Sequence, residues 1–190
     1  MRELRPAWPP GASRSMSSVF KPSAVFAHQL DEFLQATLLS VEPSEIRLQI
    51  NLTPGVAVAE QVLALIDHDH DGVISTNEAA AYGELLKRDL VVRLDQRKLD
   101  LKLTASNFPA LAELRTGWGI IQMEFSATPS PLAPGSHRIS FKNRHLPHIS
   151  AYLCNAAQPK SRLVKITRQQ RNKNQSDSEI DFTLGQPTNS

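Results

Sequence analysis

Residues 67–78, with the sequence DHDHDGVISTNE, constrain the fold more than any other stretch of the chain. Asp67, Asp69 and Asp71 alternate with two histidines, and Gly72 follows directly. Such a run disfavours the interior of a helix or a strand, because neighbouring carboxylates repel one another and glycine loses much conformational entropy on ordering. The run is therefore predicted to be a loop, with the flanking elements arranged around it.

The spacing of its acidic residues matches the pattern D-x-[DN]-x-[DN]-G-x5-E of loops that bind calcium. Ca²⁺ takes about six to eight oxygen ligands, so alternate residues of a short loop must converge on one point. Side-chain oxygens are expected from positions 1, 3, 5, 9 and 12, with a bridging water as an alternative at position 9, and a backbone carbonyl from position 7. The predicted ligands are Asp67, Asp69, Asp71, Val73, Ser75 and Glu78. Gly72 lies at position 6, where the chain must turn sharply.

The segments on both sides of the loop have helical spacing. Val58, Val62 and Ile66 precede the loop, and Tyr82 and Leu86 follow it at the spacing of one helix face. Residues 56–88 thus resemble the EF-hand family. The resemblance implies a helix-loop-helix that holds one Ca²⁺ as its cofactor.

His68 and His70 occupy loop positions 2 and 4, whose side chains point away from the ion in this geometry. They are expected to be solvated, and a transition-metal site made by the two imidazoles stays open.

Away from the loop, apolar and polar residues alternate with the period of a strand. The runs Phe33–Val41 and Ile46–Leu52, separated by turn residues, predict a β-hairpin. The runs Leu90–Leu94 and Leu99–Leu103 predict a second hairpin. Further strands are predicted at 118–125, 138–142, 149–153, 164–166 and 180–184.

Eight or nine short strands joined by turns predict a mainly β (α+β) fold. The expected architecture is an antiparallel β-sandwich of immunoglobulin-like type over residues 28–185, with the helix-loop-helix inserted at 56–88. Residues 186–190 are a short tail. Cys154 is the only cysteine, which excludes a disulfide within the chain.

Residues 1–27 are rich in proline, serine and arginine and have no hydrophobic periodicity. They are expected to be a disordered tail or a degenerate export signal cleaved after Ala27, although the apolar centre of such a signal is missing. A mis-assigned start codon is a further alternative. Nothing in the chain is long and apolar enough to be predicted as a membrane span.

A broader resemblance covers most of residues 27–185. The opening AHQLDEF at Ala27–Phe33, the hairpin after it, the Asp-rich loop and the Leu-rich segment 90–103 resemble the N-terminal extracytoplasmic domain of bacterial nickel/cobalt exporters and hydrogenase/urease accessory membrane proteins. The resemblance implies a periplasmic or extracellular location, with the cytoplasm not excluded, and a protein partner such as a membrane transporter. This chain departs from that family by having no membrane segment, so it is either a free-standing relative or a piece of a longer protein.

Two functions are therefore predicted. The first is a calcium-binding β-rich module, in which one Ca²⁺ stabilises the insert for contact with a partner. The second is an extracytoplasmic carrier of Ni²⁺ or Cu²⁺. If the chain is cleaved after Ala27, His28 becomes the first residue, and its free amine and imidazole are expected to chelate the metal together with His137, His145 or His148.

Enzymatic and nucleic-acid functions have no support in the sequence. No motif of a hydrolase, a phosphate-binding loop or a dinucleotide site occurs. Positive charge concentrates between Lys160 and Lys173, but that stretch has no aromatic residue on which a base could stack. It is expected to be a solvated strand pair with a polar turn.

Overall fold

The computed structural model describes residues 31–186, so residues 1–27, His28 and most of the predicted C-terminal tail lie outside the described part. Its strands are β1 (Phe33–Val41), β2 (Ile46–Pro54), β3 (Leu90–Leu94), β4 (Arg97–Lys98), β5 (Lys102–Asn107), β6 (Ile121–Ala127), β7 (Gly135–Asn143), β8 (Ser150–Ala156), β9 (Val164–Arg171) and β10 (Asp177–Leu184). Its helices are α1 (Ala59–Leu63), α2 (Thr76–Asp89) and α3 (Leu111–Arg115).

The strands form two five-stranded sheets that share one core. Sheet A has the order β5-β6-β2-β1-β8, and sheet B has the order β4-β3-β7-β10-β9. Apart from the parallel pair β1–β8, neighbouring strands are antiparallel. Alternate side chains of the central strands are buried, and those of both sheets join in one hydrophobic cluster. The mainly β sandwich with an inserted helix-loop-helix is confirmed, while the immunoglobulin-like topology stays a prediction.

The first hairpin is confirmed, and its register pairs Val41 with Ile46 and Phe33 with Pro54. In β1 the inward positions alternate as the sequence predicts, but two of them, Gln35 and Thr37, are polar and still buried. Buried polar side chains in a core require partners, because an unpaired one costs about 1–3 kcal/mol. The partners of Gln35 lie near the helix insert and are described with the site.

The predicted second hairpin is right only in its first half. β3 pairs with the two residues of β4, and the Leu99 N–H still donates to the Val92 carbonyl. The chain then crosses to the other sheet, where β5 pairs with β6. Alternation of leucines indicates a buried strand face but does not specify which sheet the strand joins.

Two further strand predictions need correction. The strand expected from Trp118 begins at Ile121, because α3 and its terminal turn occupy the preceding residues, and Trp118 is largely exposed. The apolar alternation of Ile149, Ala151 and Leu153 predicts that these side chains face the core, but in β8 the buried residues are Tyr152 and Cys154, and Leu153 is exposed. A strand that pairs with only one neighbour shows weak alternation, so the sequence favours the wrong face.

The edges of the two sheets meet at β8 and β9. The side-chain amide of Gln169 on β9 donates to the Cys154 carbonyl at 3.2 Å and its oxygen accepts from the Ala156 N–H at 3.3 Å. One side chain thus pairs with the backbone of β8 as a neighbouring strand would. The basic residues from Lys160 to Lys173 lie on exposed parts of β9 and its connections, and β9 pairs with β10 around a polar turn, as predicted.

Between residues 31 and 186, no helix combines the length and the apolar character needed to cross a lipid bilayer.

A candidate metal centre

The loop at residues 67–78 lies between α1 and α2, on a helix pair that is anchored to the sandwich. Val62, Leu63 and Ile66 are buried before the loop, and Tyr82 and Leu86 are buried after it. α2 approaches β5 so closely that a Cβ on Gly83 would meet Leu103 Cδ2 at 2.5 Å. The sandwich therefore fixes the two ends of a loop whose own residues are mostly exposed.

Three of the predicted ligands are brought together. One carboxylate oxygen from each of Asp67, Asp69 and Asp71 lies within 4.8 Å of the other two. Two oxygens on opposite sides of one Ca²⁺ ion are about 5 Å apart, since each lies about 2.3–2.6 Å from the ion. The three oxygens can therefore contact a single cation placed between them.

Asp67 is the unusual member of this group, because its side chain is only 6% exposed. Its Oδ2 accepts the Gly72 N–H at 3.2 Å, but its Oδ1 is buried and has no hydrogen-bond partner. In residues 31–186, the two other buried atoms without a hydrogen bond, Arg47 Nε and Asp177 Oδ1, lie 3.4 and 2.7 Å from an opposite charge. Burial of a carboxylate oxygen with neither kind of partner costs free energy, which sets Asp67 Oδ1 apart among the described residues.

The backbone of the loop curls around the aspartates. Gly72 has a φ of +84°, and His70 has a φ of +59°. The Asp71 N–H donates to Asp69 at 3.1 Å, and the Val73 N–H donates to Asp71 at 2.7 Å. The prediction that Gly72 supplies a left-handed turn is thus confirmed, since residues with a Cβ disfavour this conformation.

Ser75 and Glu78 begin α2 as a capping box. The Ser75 hydroxyl accepts the Glu78 N–H at 3.3 Å, and the Glu78 carboxylate accepts the Ser75 N–H at 2.9 Å. Glu78 also accepts the His68 N–H at 2.8 Å, so its carboxylate joins both ends of the loop. The backbone N–H and then the hydroxyl of Ser75, followed by the His68 N–H, lower the pKa of Glu78 to about 2.

Glu78 is not among the oxygens that converge, since its carboxylate is occupied by these backbone donors. The Val73 side chain is 65% exposed, as expected of a residue that would contribute only its carbonyl. Ile74 lies at loop position 8, where an apolar side chain is expected to turn into the core, and it is half-buried and packs there. Three of the six predicted ligands, Val73, Ser75 and Glu78, therefore lie on the loop but remain predictions as ligands.

The alternative site pairs His28 with one of three other histidines, and because His28 lies outside the described residues this pairing stays a prediction. Both ring nitrogens of His137 are engaged, with Nδ1 at 2.6 Å from Asp95 and Nε2 at 2.7 Å from the Ala133 carbonyl. His145 is buried and also uses both nitrogens, while His148 is exposed. Within the described residues, the three aspartates are the one group of three or more potential ligands.

A buried polar network below α2 was missed by sequence reasoning. His145 contacts the Tyr82 hydroxyl at 3.1 Å and Asp89 at 2.8 Å, and its backbone carbonyl accepts the Gln35 amide at 2.8 Å. Gln35 in turn accepts the Asn143 amide at 2.8 Å. The available signal was Gln35 itself, a polar residue at an inward position of a strongly apolar strand.

Comparison with known proteins identifies no relative: no protein-family model, curated protein or solved structure matches this chain.

Proposed function

We propose that this protein is a calcium-binding β-rich module that holds one Ca²⁺ in residues 67–78. The observation that carries the proposal is the cluster of three aspartate oxygens within 4.8 Å, one of whose members, Asp67, also has a buried oxygen without a partner. An ion between the aspartates would supply the charge that this oxygen lacks.

The chemistry of the donors favours a hard cation. All side-chain donors proposed in the loop are oxygens, which suit Ca²⁺ and Mg²⁺, whereas the nitrogen and sulfur ligands that copper and nickel prefer are absent from the aspartate cluster. Ca²⁺ is favoured over Mg²⁺ because it accepts irregular coordination and carbonyl ligands, and Mg²⁺ requires near-ideal octahedral geometry. Val73 would contribute its carbonyl, and Ser75 a hydroxyl or a bridging water.

Glu78 must change partners when the ion binds. Its carboxylate would leave the His68 N–H and turn toward the aspartates, closing the loop with both oxygens. The carboxylate is already ionised well below neutral pH, with its pKa near 2, so no proton has to be released for this step.

The proposed role of the ion is structural. A single loop, anchored at both ends to the sandwich, would be held by Ca²⁺ in one conformation and present its exposed residues to a partner protein. At the millimolar calcium of an extracytoplasmic compartment, even a site with a Kd of about 10⁻⁴–10⁻³ M would be occupied. Such a location, with a membrane transporter as partner, remains part of the proposal.

The direct test is thermal unfolding of the metal-stripped protein at pH 7 with and without Ca²⁺. Binding to the folded state alone raises the free energy of unfolding by about 2.7 kcal/mol when free Ca²⁺ is 100 times Kd. For a domain of this size that corresponds to an increase in Tm of roughly 5–10 °C. Glu78→Gln is expected to abolish most of the increase, because the closing ligand loses its charge.

Glu84→Gln is the matched control. Glu84 lies on the exposed side of the same helix, where it pairs with Lys87, so the substitution removes the same charge outside the loop. It should leave the Ca²⁺-dependent increase in Tm intact. A calorimetric titration with Ca²⁺, Mg²⁺, Ni²⁺ and Cu²⁺ in turn distinguishes the two predicted functions. Tight binding of Ni²⁺ or Cu²⁺ without binding of Ca²⁺ would contradict the proposal.

A further inference from the structure

The side chain of His145 joins helix α2 to the sandwich at two points. His145 is 1% exposed, and its Nε2 lies 3.1 Å from the Tyr82 hydroxyl while its Nδ1 lies 2.8 Å from Asp89 Oδ2. Tyr82 and Asp89 are two turns apart on one face of α2. The single imidazole therefore sets both the rotation of the helix and its position along its axis.

His145 is itself held rigidly by the sandwich. Its backbone N–H donates to Asn143 at 2.9 Å, and its carbonyl accepts from Gln35 and from the Tyr152 hydroxyl, each at 2.8 Å. The preceding backbone N–H, that of Arg144, donates to the Asp89 carbonyl at 2.9 Å. The imidazole cannot shift without breaking buried hydrogen bonds, so it is a fixed reference for α2.

The partners of the ring define its tautomer. An ionised Asp89 can only accept, so the proton is on Nδ1. The other nitrogen, Nε2, then accepts from the Tyr82 hydroxyl. Protonation of the ring would turn this acceptor into a donor, and the Tyr82 hydroxyl hydrogen would lose its buried partner.

Tyr82 lies one helical turn after Glu78, the proposed closing ligand, on the same side of α2. We propose that His145 is a positioning residue of the metal loop: by holding Tyr82 and Asp89 it places Glu78 where it can close on the cation. This inference rests on the proposed calcium function. Since binding couplings are reciprocal, Ca²⁺ in the loop must in turn favour the neutral imidazole.

The charged and titratable groups around His145 come from three elements. Asp89 on α2 favours the imidazolium, while burial disfavours it more strongly, so the pKa of His145 lies below its usual value. Tyr82 on α2 and Tyr152 on β8 stay neutral over the physiological range, because burial raises the pKa of each. Arg144, after β7, forms an ion pair with Asp177 at 2.7 Å. Phe33 and Gln35 on β1 carry no charge.

The test is a calorimetric titration of Ca²⁺ into the wild type and Tyr82→Phe at pH values from 7.5 down to 5.0. Tyr82→Phe keeps the aromatic ring in the core and removes only the hydroxyl, whose hydrogen bond His145 Nε2 accepts. Its Kd for Ca²⁺ is expected to rise by about 5-fold at pH 7.5, at the lower end of typical coupling energies. The wild-type Kd should rise as the pH falls, and that of Tyr82→Phe should rise less. A His68→Gln/His70→Gln background removes the two imidazoles that lie beside the proposed ligands in the loop, so that His145 is tested apart from them.

A second readout separates positioning from stability. The NMR titration of the His145 ring should give a lower pKa with saturating Ca²⁺ than without it, and this difference should shrink in Tyr82→Phe. Ile180→Val is the control, because it weakens the core of sheet B without touching the network. It should leave the Kd for Ca²⁺ unchanged.

Three results would overturn the inference. If the protein binds Ca²⁺ and Tyr82→Phe leaves the Kd unchanged, His145 is not a positioning residue of the loop, while the calcium function is unaffected. Equal weakening by Ile180→Val would assign the effect to global stability. Absence of any Ca²⁺ binding by the wild type would refute the calcium function, and the inference with it.

Discussion

Helix α2 has a polar cluster at each end, and the two clusters differ in how fully their atoms are paired. At its N-terminal end, the aspartates of the loop are gathered with one another, and a buried oxygen of Asp67 has no partner. At the other end, both ring nitrogens and both backbone polar groups of His145 are engaged. Both clusters contain charged or titratable groups, but of the two only the loop has a buried side-chain oxygen without a hydrogen-bond partner. This incomplete pairing supports the proposed ion site in the loop, whereas complete pairing is what is expected of a structural network around His145.

The largest effect is expected where a complete network is opened. Asn143→Ala removes the oxygen that accepts the His145 N–H and the amide that donates to Gln35. Because Asn143 is only 2% exposed, the substitution also leaves a cavity in the core. Two buried groups without partners should lower the free energy of unfolding by about 3 kcal/mol, as measured by urea denaturation.

Asn107→Ala is the control for that measurement. The Asn107 amide donates to Gln122 at 3.2 Å on the exposed part of β5, where water can replace the lost bond. Its effect should be below about 0.5 kcal/mol. Equal effects of the two substitutions would contradict the claim that the His145 network is structural.

A smaller effect of opposite sign is expected in the incomplete cluster. Asp67→Asn removes a buried charge that lacks a partner and its repulsion with Asp69 and Asp71, so the metal-free protein should gain about 1 kcal/mol in stability. In saturating Ca²⁺ the same variant should be less stable than the wild type. The variant should therefore unfold after the wild type in EDTA and before the wild type in Ca²⁺. If Asp67→Asn destabilises the protein in EDTA as well, the loop is already complete without an ion.

The smallest expected effect is the difference in pKa between two histidines, His145 and His137, which shift in opposite directions. Burial lowers the pKa of His145 more than Asp89 raises it, whereas at His137 burial is outweighed by the hydrogen bonds to Asp95 and Ala133, so its pKa is raised. Unfolded histidine titrates near about 6.5. His145 thus contributes stability that is present above pH 6.5 and is lost as the pH falls toward its lower folded value. His137 contributes stability that is present below pH 6.5 and is lost as the pH rises through its higher folded value.

NMR titration of the two ring protons is the measurement for this prediction. The midpoint of His137 should lie above that of His145. Asp95→Asn should lower the midpoint of His137 and leave that of His145 unchanged, because Asp95 contacts only the former. A midpoint of His145 above 6.5 would show that Asp89, and not burial, controls the ring.

The sequence predicts the local features of this molecule better than its long-range ones. The first hairpin, the loop with its turn at Gly72 and the two flanking helices follow from spacing within short segments. The crossing from β3–β4 to β5 does not, because leucines at 99–103 satisfy the core equally well in either sheet. The network around His145 joins residues more than 100 positions apart, such as Gln35 and His145, and no local pattern encodes such a contact.

For the site itself, spacing predicted the three aspartates that are gathered, but not the different position of the Glu78 carboxylate. The alternation of aspartates places Asp67, Asp69 and Asp71 together as expected. The burial of Asp67 depends on how α1 and α2 pack on the sandwich, and the engagement of Glu78 with the His68 N–H depends on the closing of the loop ends. Both are consequences of tertiary structure, and both alter the expected energetics of metal binding.

The amide of Gln169, spanning the backbone of β8, has a consequence for the behaviour of the protein at high concentration. A flat strand edge with free N–H and C=O groups is a template on which further copies of a chain can stack into aggregates. The side chain occupies two of the groups that an incoming strand would need. The Gln169 side chain thus leaves fewer free backbone groups on this edge with which a second copy of the chain could pair.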